Sequence, residues 1–215
     1  MNFRRITIGM IMYSIALLTL HGCTIRVNRA TPPVTLPEHV YKSPANQDYS
    51  QATVAVFRFQ GPNLLPMVDY IQLYDPGYDA AYRLYQQLLQ KDVFRKLIPE
   101  YNYGQLTLDR KIVIAREKGC ELLITGKVLY YFDGSPLLES RVDEEITVID
   151  VKTKEALWYA ESVEIGKTIG DCDLYFFRVK GEPAPPASSL LVLNAKKFVN
   201  MLSGFNETIP DGGGH

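Results

Sequence analysis

Three apolar-rich runs in succession, divided by turn sequences, constrain this chain more than any other feature. Leu122 to Phe132 is a long strand-forming run broken by Asp133, Gly134, Ser135 and Pro136. Arg141 to Val151 then alternates, so that Val142, Ile146 and Val148 share a face with Glu144. Lys152, Thr153 and Lys154 turn the chain again, and Ala156 to Ile165 returns around Trp158. Turn residues between β-branched and aromatic runs are hairpin punctuation, so the sequence predicts an antiparallel meander. The apolar face of a meander needs a second layer to cover it.

The rest of the chain supplies that layer. Thr53 to Phe59 reads as an opening strand closed by Gly61 and Pro62. Residues 60 to 75 show no period. After them Asp75 and Pro76 provide an N-cap and an N1 proline, and Ala80, Ala81, Leu84, Tyr85, Leu88 and Leu89 recur at helical spacing. Val93 to Ile98 predicts a short strand stopped by Pro99. Thr107 caps a second helix, with Leu108, Ile112 and Ala115 on one face and Gly119 at its end. Ser188 or Ser189 caps a last amphipathic helix through Leu202, stopped by Gly204. The expected order is β-α-β-α-β-β-β-α: an α/β fold with a single sheet and helices packed on it, over residues 51–204, followed by a flexible tail at 205–215.

The amino terminus predicts export. Arg4 and Arg5 precede the apolar run Ile6 to Leu20, which falls short of the about 20 residues that a spanning helix needs and has the order of a secretory signal. Leu20, His21, Gly22 and Cys23 resemble the bacterial lipobox, with His21 as a departure. Residues 1–22 are thus expected to be removed and Cys23 to be lipidated. Two acyl chains on its thiol, at roughly 0.8 kcal/mol per buried CH2, meet the requirement for durable anchoring. Thr24 follows where aspartate would signal inner-membrane retention in enteric bacteria, so the expected location is the periplasmic face of the outer membrane. Residues 23–50 carry Pro32, Pro33, Pro37 and Pro44 and read as a semi-rigid tether.

Composition and residue choice restrict the chemistry. A net charge of -1 and 22% charged residues are those of a globular protein, not of a nucleic-acid binder. The three histidines are His21, His39 and His215, all outside the predicted domain, which excludes histidine-dependent triads and imidazole zinc sites there. Asp143, Glu144 and Glu145 adjoin, yet on a strand Asp143 and Glu145 share one face and Glu144 the other; they read as a solvated strand edge. Gly119 to Lys127 fails as a P-loop, because six residues separate the glycines where four are needed and Val128 stands in the hydroxyl position. Gly126 reads instead as a packing or bulge glycine. The sequence therefore predicts no catalytic residue, metal or cofactor. Cys120 and Cys172 remain as a candidate disulfide in an oxidising compartment, the alternative being a buried thiol and a loop thiol. Among the aromatic residues, Tyr131, Trp158 and Tyr159 are the candidates for a partner-binding surface, the alternative being burial beneath the last helix.

Three segments carry a family resemblance. Val54 to Phe59, Gly119 to Val128 and Lys152 to Trp158 resemble the opening strand, the helix end with the third strand, and the turn with its tryptophan strand in one fold group. That group comprises the amino-terminal domain of TolB, the curli lipoprotein CsgG, the lipoprotein activators of penicillin-binding proteins and single-domain PelC-like lipoproteins of polysaccharide secretion. The likeness covers roughly residues 52–203, with Cys120 where the family has alanine. It implies a lipid-anchored periplasmic protein, with no chemistry of its own, that docks on or forms a ring with an export or wall-building machine. It also implies a functional tryptophan, with Trp158 as the counterpart. The 60–75 segment lacks the alternating apolar strands of a membrane hairpin, which sets aside a curli-type channel. A second reading, from a different class, is a periplasmic small-ligand-binding or hydrolytic domain with 60–75 as a lid over a cleft at the strand ends.

Overall fold

The computed structural model describes residues 34–35, 39–42, 50–62, 74–170, 172–174 and 177–203, all within one compact unit. The expected signal segment, Cys23, residues 63–73 of the expected lid and the tail lie outside the described residues.

A single mixed sheet organises the molecule. Strands β1 (Val34–Thr35) and β2 (His39–Lys42) pair antiparallel with β7 (Ala156–Gly166) at one edge. Inward from there lie β6 (Ser140–Asp150), β5 (Leu122–Phe132), β3 (Thr53–Phe57) and, at the far edge, β4 (Lys96–Glu100). The meander β5-β6-β7 is antiparallel, and β3 runs parallel to both β4 and β5. Helix α1 (Pro76–Lys91) joins β3 to β4, α2 (Leu108–Glu117) joins β4 to β5, and α3 (Ala187–Ser203) closes the domain. The fold class and the order of its main elements are those expected.

Local chemistry explains where the helices begin and end. The Asp75 carboxylate accepts from the Tyr78 N–H at 2.9 Å beside Pro76, and Asp92 ends α1 in the left-handed region. Thr107 Oγ1 accepts from the Arg110 N–H at 3.4 Å, and Gly119, with φ at 69°, turns the chain away after α2. The start of α3 differs from expectation. Neither Ser188 nor Ser189 caps it; the Ala187 N–H donates to Asp133 Oδ1 at 2.6 Å, so the acceptor comes from the turn after β5.

The two sheet faces are covered unequally. Val54 and Val56 point into the large core shared with α1 and α3, whose Leu84, Leu88, Leu190, Leu191 and Phe198 are buried there. Ala55, Phe57, Leu123 and Ile149 point the other way, into a smaller core under Ile112, Ile114 and Ala115 of α2. This alternation is the ordinary consequence of the pleat. Helix α2 packs mainly over β3 and β5 and meets β6 at Ile149; among the described residues no helix covers the rest of the outer face of β6 and β7.

Four sequence expectations change. The second strand includes Pro99, opposite Val56, because β4 is an edge strand where a missing N–H costs no ladder bond. Two pieces of the expected tether, β1 and β2, add an edge to the sheet along β7, and His39, expected outside the domain, pairs there with Glu161. An additional hairpin, β8 (Cys172–Leu174) with β9 (Phe177–Val179), precedes α3. Finally, Cys120 is a free, buried thiol in the smaller core, and its burial pushes its pKa up. Cys120 lies before the start of β5, an 11-residue strand of roughly 36 Å. Cys172 follows the opposite end of the sheet by six residues, a reach of at most about 20 Å, so topology keeps the two cysteines apart.

Candidate interaction surface

The far end of the meander is shaped by a bulge. Along β5 and β6, Val128 pairs with Glu144 but Tyr130 pairs with Asp143, leaving Leu129 as the extra residue. A one-residue slip sends every later side chain to the opposite face. Alternation counted from the buried Val128 would turn Tyr131 outward and Tyr130 and Phe132 inward. Instead Tyr131 packs against the large core and against Tyr74, with ring centroids 5.3 Å apart. Tyr130 and Phe132 stand on the outer face, 46% and 37% exposed, beside the bulged Leu129.

The turn beyond them continues this apolar surface. Leu137 is 89% exposed and Leu138 56%, in a loop whose remaining groups are held firmly. Ser135 N–H donates to Leu138 C=O at 2.9 Å and Leu138 N–H donates back. Gly134 N–H donates to Ser140 Oγ at 2.8 Å, and that hydroxyl donates to Pro185 C=O. A side chain on Gly134 would run into Leu138, Ser140 and Ala184. Polar anchors thus hold a loop whose two leucines face solvent, at the same end of the sheet as the exposed Leu129, Tyr130 and Phe132. Exposed apolar surface of this kind marks a contact site.

The aromatic candidates have different surroundings. Trp158 is buried and meets Phe198 edge-on at 6.4 Å. It belongs to the core because β7 turns Trp158, Ala160, Ser162 and Glu164 toward α3, so it presents no surface to a partner. Tyr159 lies half-buried on the outer face; its hydroxyl donates to Glu161 and stands 3.2 Å from Glu145 Oε2. Burial and these carboxylates raise its pKa.

The neighbouring carboxylates divide by face. Asp143 pairs with Arg141 at 2.7 Å and Glu145 with Lys127 at 2.6 Å on the outer face. Glu144 is not at a solvated edge, since β6 is an inner strand with α3 above it. The residue is 3% exposed, and burial pushes its carboxyl up to about 8 against the opposing pull of Asn194. Its Oε2, with Ser162 Oγ and Trp158 Nε1, lacks a hydrogen-bond partner among the described residues. Nearby, Glu164 is paired with Lys197 of α3. These groups form a polar seam inside the large core.

A cavity of about 520 Å³ opens where α2 begins. Gln60 is placed there by a bridge beyond β3, in which its N–H donates to Gly126 C=O and its C=O accepts from Val128 N–H. Gly126 leaves room for Glu145 C=O and the Phe59 ring, which a Cβ there would meet. Lys111 of α2 reaches the same cavity, 7% exposed, its ammonium donating to Thr125 Oγ1 at 2.6 Å and to Arg58 C=O at 3.2 Å. Among the described residues no group of three or more His, Cys, Asp and Glu is placed to hold a metal ion.

Sequence reasoning missed Leu137, Leu138 and Lys111. The leucine pair carried a signal, two apolar residues inside a polar turn. So did Lys111, one turn after Leu108 and one before Ala115 on the helix face that the sequence marks as apolar.

Comparison with solved structures finds this fold in other proteins. The chain is similar to the PelC dodecamer from Paraburkholderia phytofirmans, with 15% identity, a TM-score of 0.52, and coverage of 79% of this chain and 98% of that one. A point variant of that dodecamer gives 16% identity, a TM-score of 0.51 and coverage of 78% and 98%. The LpoB C-terminal domain from Salmonella enterica gives 11% identity and a TM-score of 0.39 over 55% of this chain and 85% of that one. At such identities the likeness is one of fold, and the fold is that of the PelC structures. No family model matches the chain, and no curated protein does.

Proposed function

We propose that this protein is an exported lipoprotein, held at the periplasmic face of the outer membrane through Cys23, that acts as a non-catalytic assembly or docking component of an envelope export or polysaccharide machine. The observation that carries the reading is the anchored apolar end of the meander, where Leu129, Tyr130, Phe132, Leu137 and Leu138 are exposed together. A loop pinned by hydrogen bonds on both sides presents this surface without further ordering cost, which favours association. The likeness, over 79% of this chain, to a protein solved as a dodecamer supports self-assembly as one form of that contact. The amino-terminal signal and lipobox support the anchor; among the described residues no helix is long and apolar enough to cross a membrane.

The test is photocrosslinking in intact cells with a reactive residue at position 137 and a control at Lys152, which lies in the turn at the other end of β6. The expected result is a discrete adduct from position 137 and none from position 152. Absence of an adduct at 137, with the protein present in the envelope, would remove the docking surface. Mass spectrometry of the amino-terminal peptide checks the anchor separately: a diacylated Cys23 is expected, and an intact Met1 contradicts export.

A further inference from the structure

The cavity beside α2 lies apart from the apolar patch, and its position follows from topology. Strand β3 has β4 on one side and β5 on the other; the chain leaves β3 through α1 on one face and leaves β4 through α2 on the opposite face. The crevice beyond the carboxyl ends of strands at such a reversal is where open α/β sheets bind ligands. Gln60 follows β3 and Gln105 follows β4, and both line the cavity. A volume of about 520 Å³ falls within the range of small-molecule sites.

The charges in the walls define what fits. Lys127 is paired with Glu145, and Lys154 approaches Asp109 at 3.4 Å. Among the described residues Lys111 has only neutral partners, a hydroxyl and a carbonyl. An ammonium carries three protons, and two are committed. A buried cation without a carboxylate beside it is costly, and desolvation alone moves its pKa down, to about 8. It remains mostly charged at neutral pH. The first turn of α2, with Thr107 and Leu108 in the same wall, adds the positive end of the helix dipole. Gln60, Gln105, Thr147 and Glu145 also line the cavity and offer donors and acceptors suited to hydroxyl groups.

We propose that this cavity binds a small organic anion, a carboxylate or phosphate on a hydroxyl-bearing body the size of a monosaccharide, with the anionic group on Lys111 and the hydroxyls on the Gln60, Gln105 and Glu145 side. The site is independent of the apolar patch, so the docking function stands or falls separately.

Calorimetric titration of the full chain in detergent tests it, with galacturonate, glucose 6-phosphate and galactose as probes. At least one anionic sugar is expected to bind with a Kd below roughly 1 mM, and about tenfold or more tighter than galactose. Binding of galacturonate alone assigns a carboxylate, of glucose 6-phosphate alone a phosphate, and of both a site that reads charge. Lys111→Met should weaken the anion about tenfold or more while leaving the melting temperature equal or higher, and Lys152→Met should change neither. Lys111→Arg tests position, since the longer planar group displaces the anion and should also weaken it. Failure of both anions to bind at roughly 10 mM, galactose binding as well as they do, or undiminished binding by a folded Lys111→Met chain would overturn the proposal.

Discussion

The two faces of β6 show how one strand serves two purposes. Toward α1 and α3 it sends Val142, Glu144, Ile146 and Val148, all buried; away from them it sends Arg141, Asp143, Glu145 and Thr147, all reached by solvent or by the cavity. The first face carries stability and tolerates one buried carboxyl. The second carries ion pairs that contribute little to folding and lines part of the cavity; the apolar patch lies beside its start, on β5 past the bulge and on the turn. Glu144 and Glu145 adjoin in sequence, yet one is a near-neutral core group and the other half of a partly exposed ion pair. Strand position and the covering helix decide which.

Substitutions sharpen that contrast. Phe198→Ala, which removes the ring meeting Trp158, should destabilise by about 3–5 kcal/mol, read by denaturant unfolding; a cost as small as that of an outer-face change would break the comparison. Glu144→Gln should instead stabilise, by about 1–3 kcal/mol near pH 8. The reason is one of linkage. Below the ordinary value of 4.5 the carboxyl is protonated in folded and unfolded chains alike, and between there and about 8 the unfolded chain alone releases its proton. Stability therefore falls as pH rises through this window, and the glutamine variant should flatten that slope. Glu164, Lys197, Asn194 and Asp79 surround the group and are unchanged in the variant.

Outer-face changes should be smaller. A double-mutant cycle on Lys127 and Glu145 should give a coupling of about 0.2–1 kcal/mol, reduced by salt, because Lys127 is half exposed. A larger, salt-independent value would mean that this pair belongs with the core. Leu137→Asp with Leu138→Asp should change unfolding stability least, within about 0.5 kcal/mol, since neither side chain is buried. Their effect should fall on association.

Much of this arrangement was legible in the chain. Asp75 with Pro76, Thr107 and Gly119 state the limits of α1 and α2 through local backbone chemistry, and the three runs with their turns state the meander. What escaped depends on partners distant in sequence. The bulge at Leu129 has no mark of its own, and its slip exchanges Tyr131 for Tyr130 and Phe132 at the surface. The acceptor at the start of α3 is Asp133, 54 residues away. Strand β2 exists because the edge of β7 offers it hydrogen bonds, and Pro99 is accepted because β4 is an edge. Trp158 and Glu144 share the β6-β7 face under α3, and only the placement of that helix says that both are buried.

The most direct test is the native size of the complex recovered from detergent-solubilised envelopes, measured for the wild-type chain and for the Leu137→Asp, Leu138→Asp variant, with thermal melts of both. The prediction is a high-mass species for the wild type, lost in the variant while the melt is unchanged. An identical size for the two chains, or a variant that melts like a core substitution, would contradict the assignment of this patch to association.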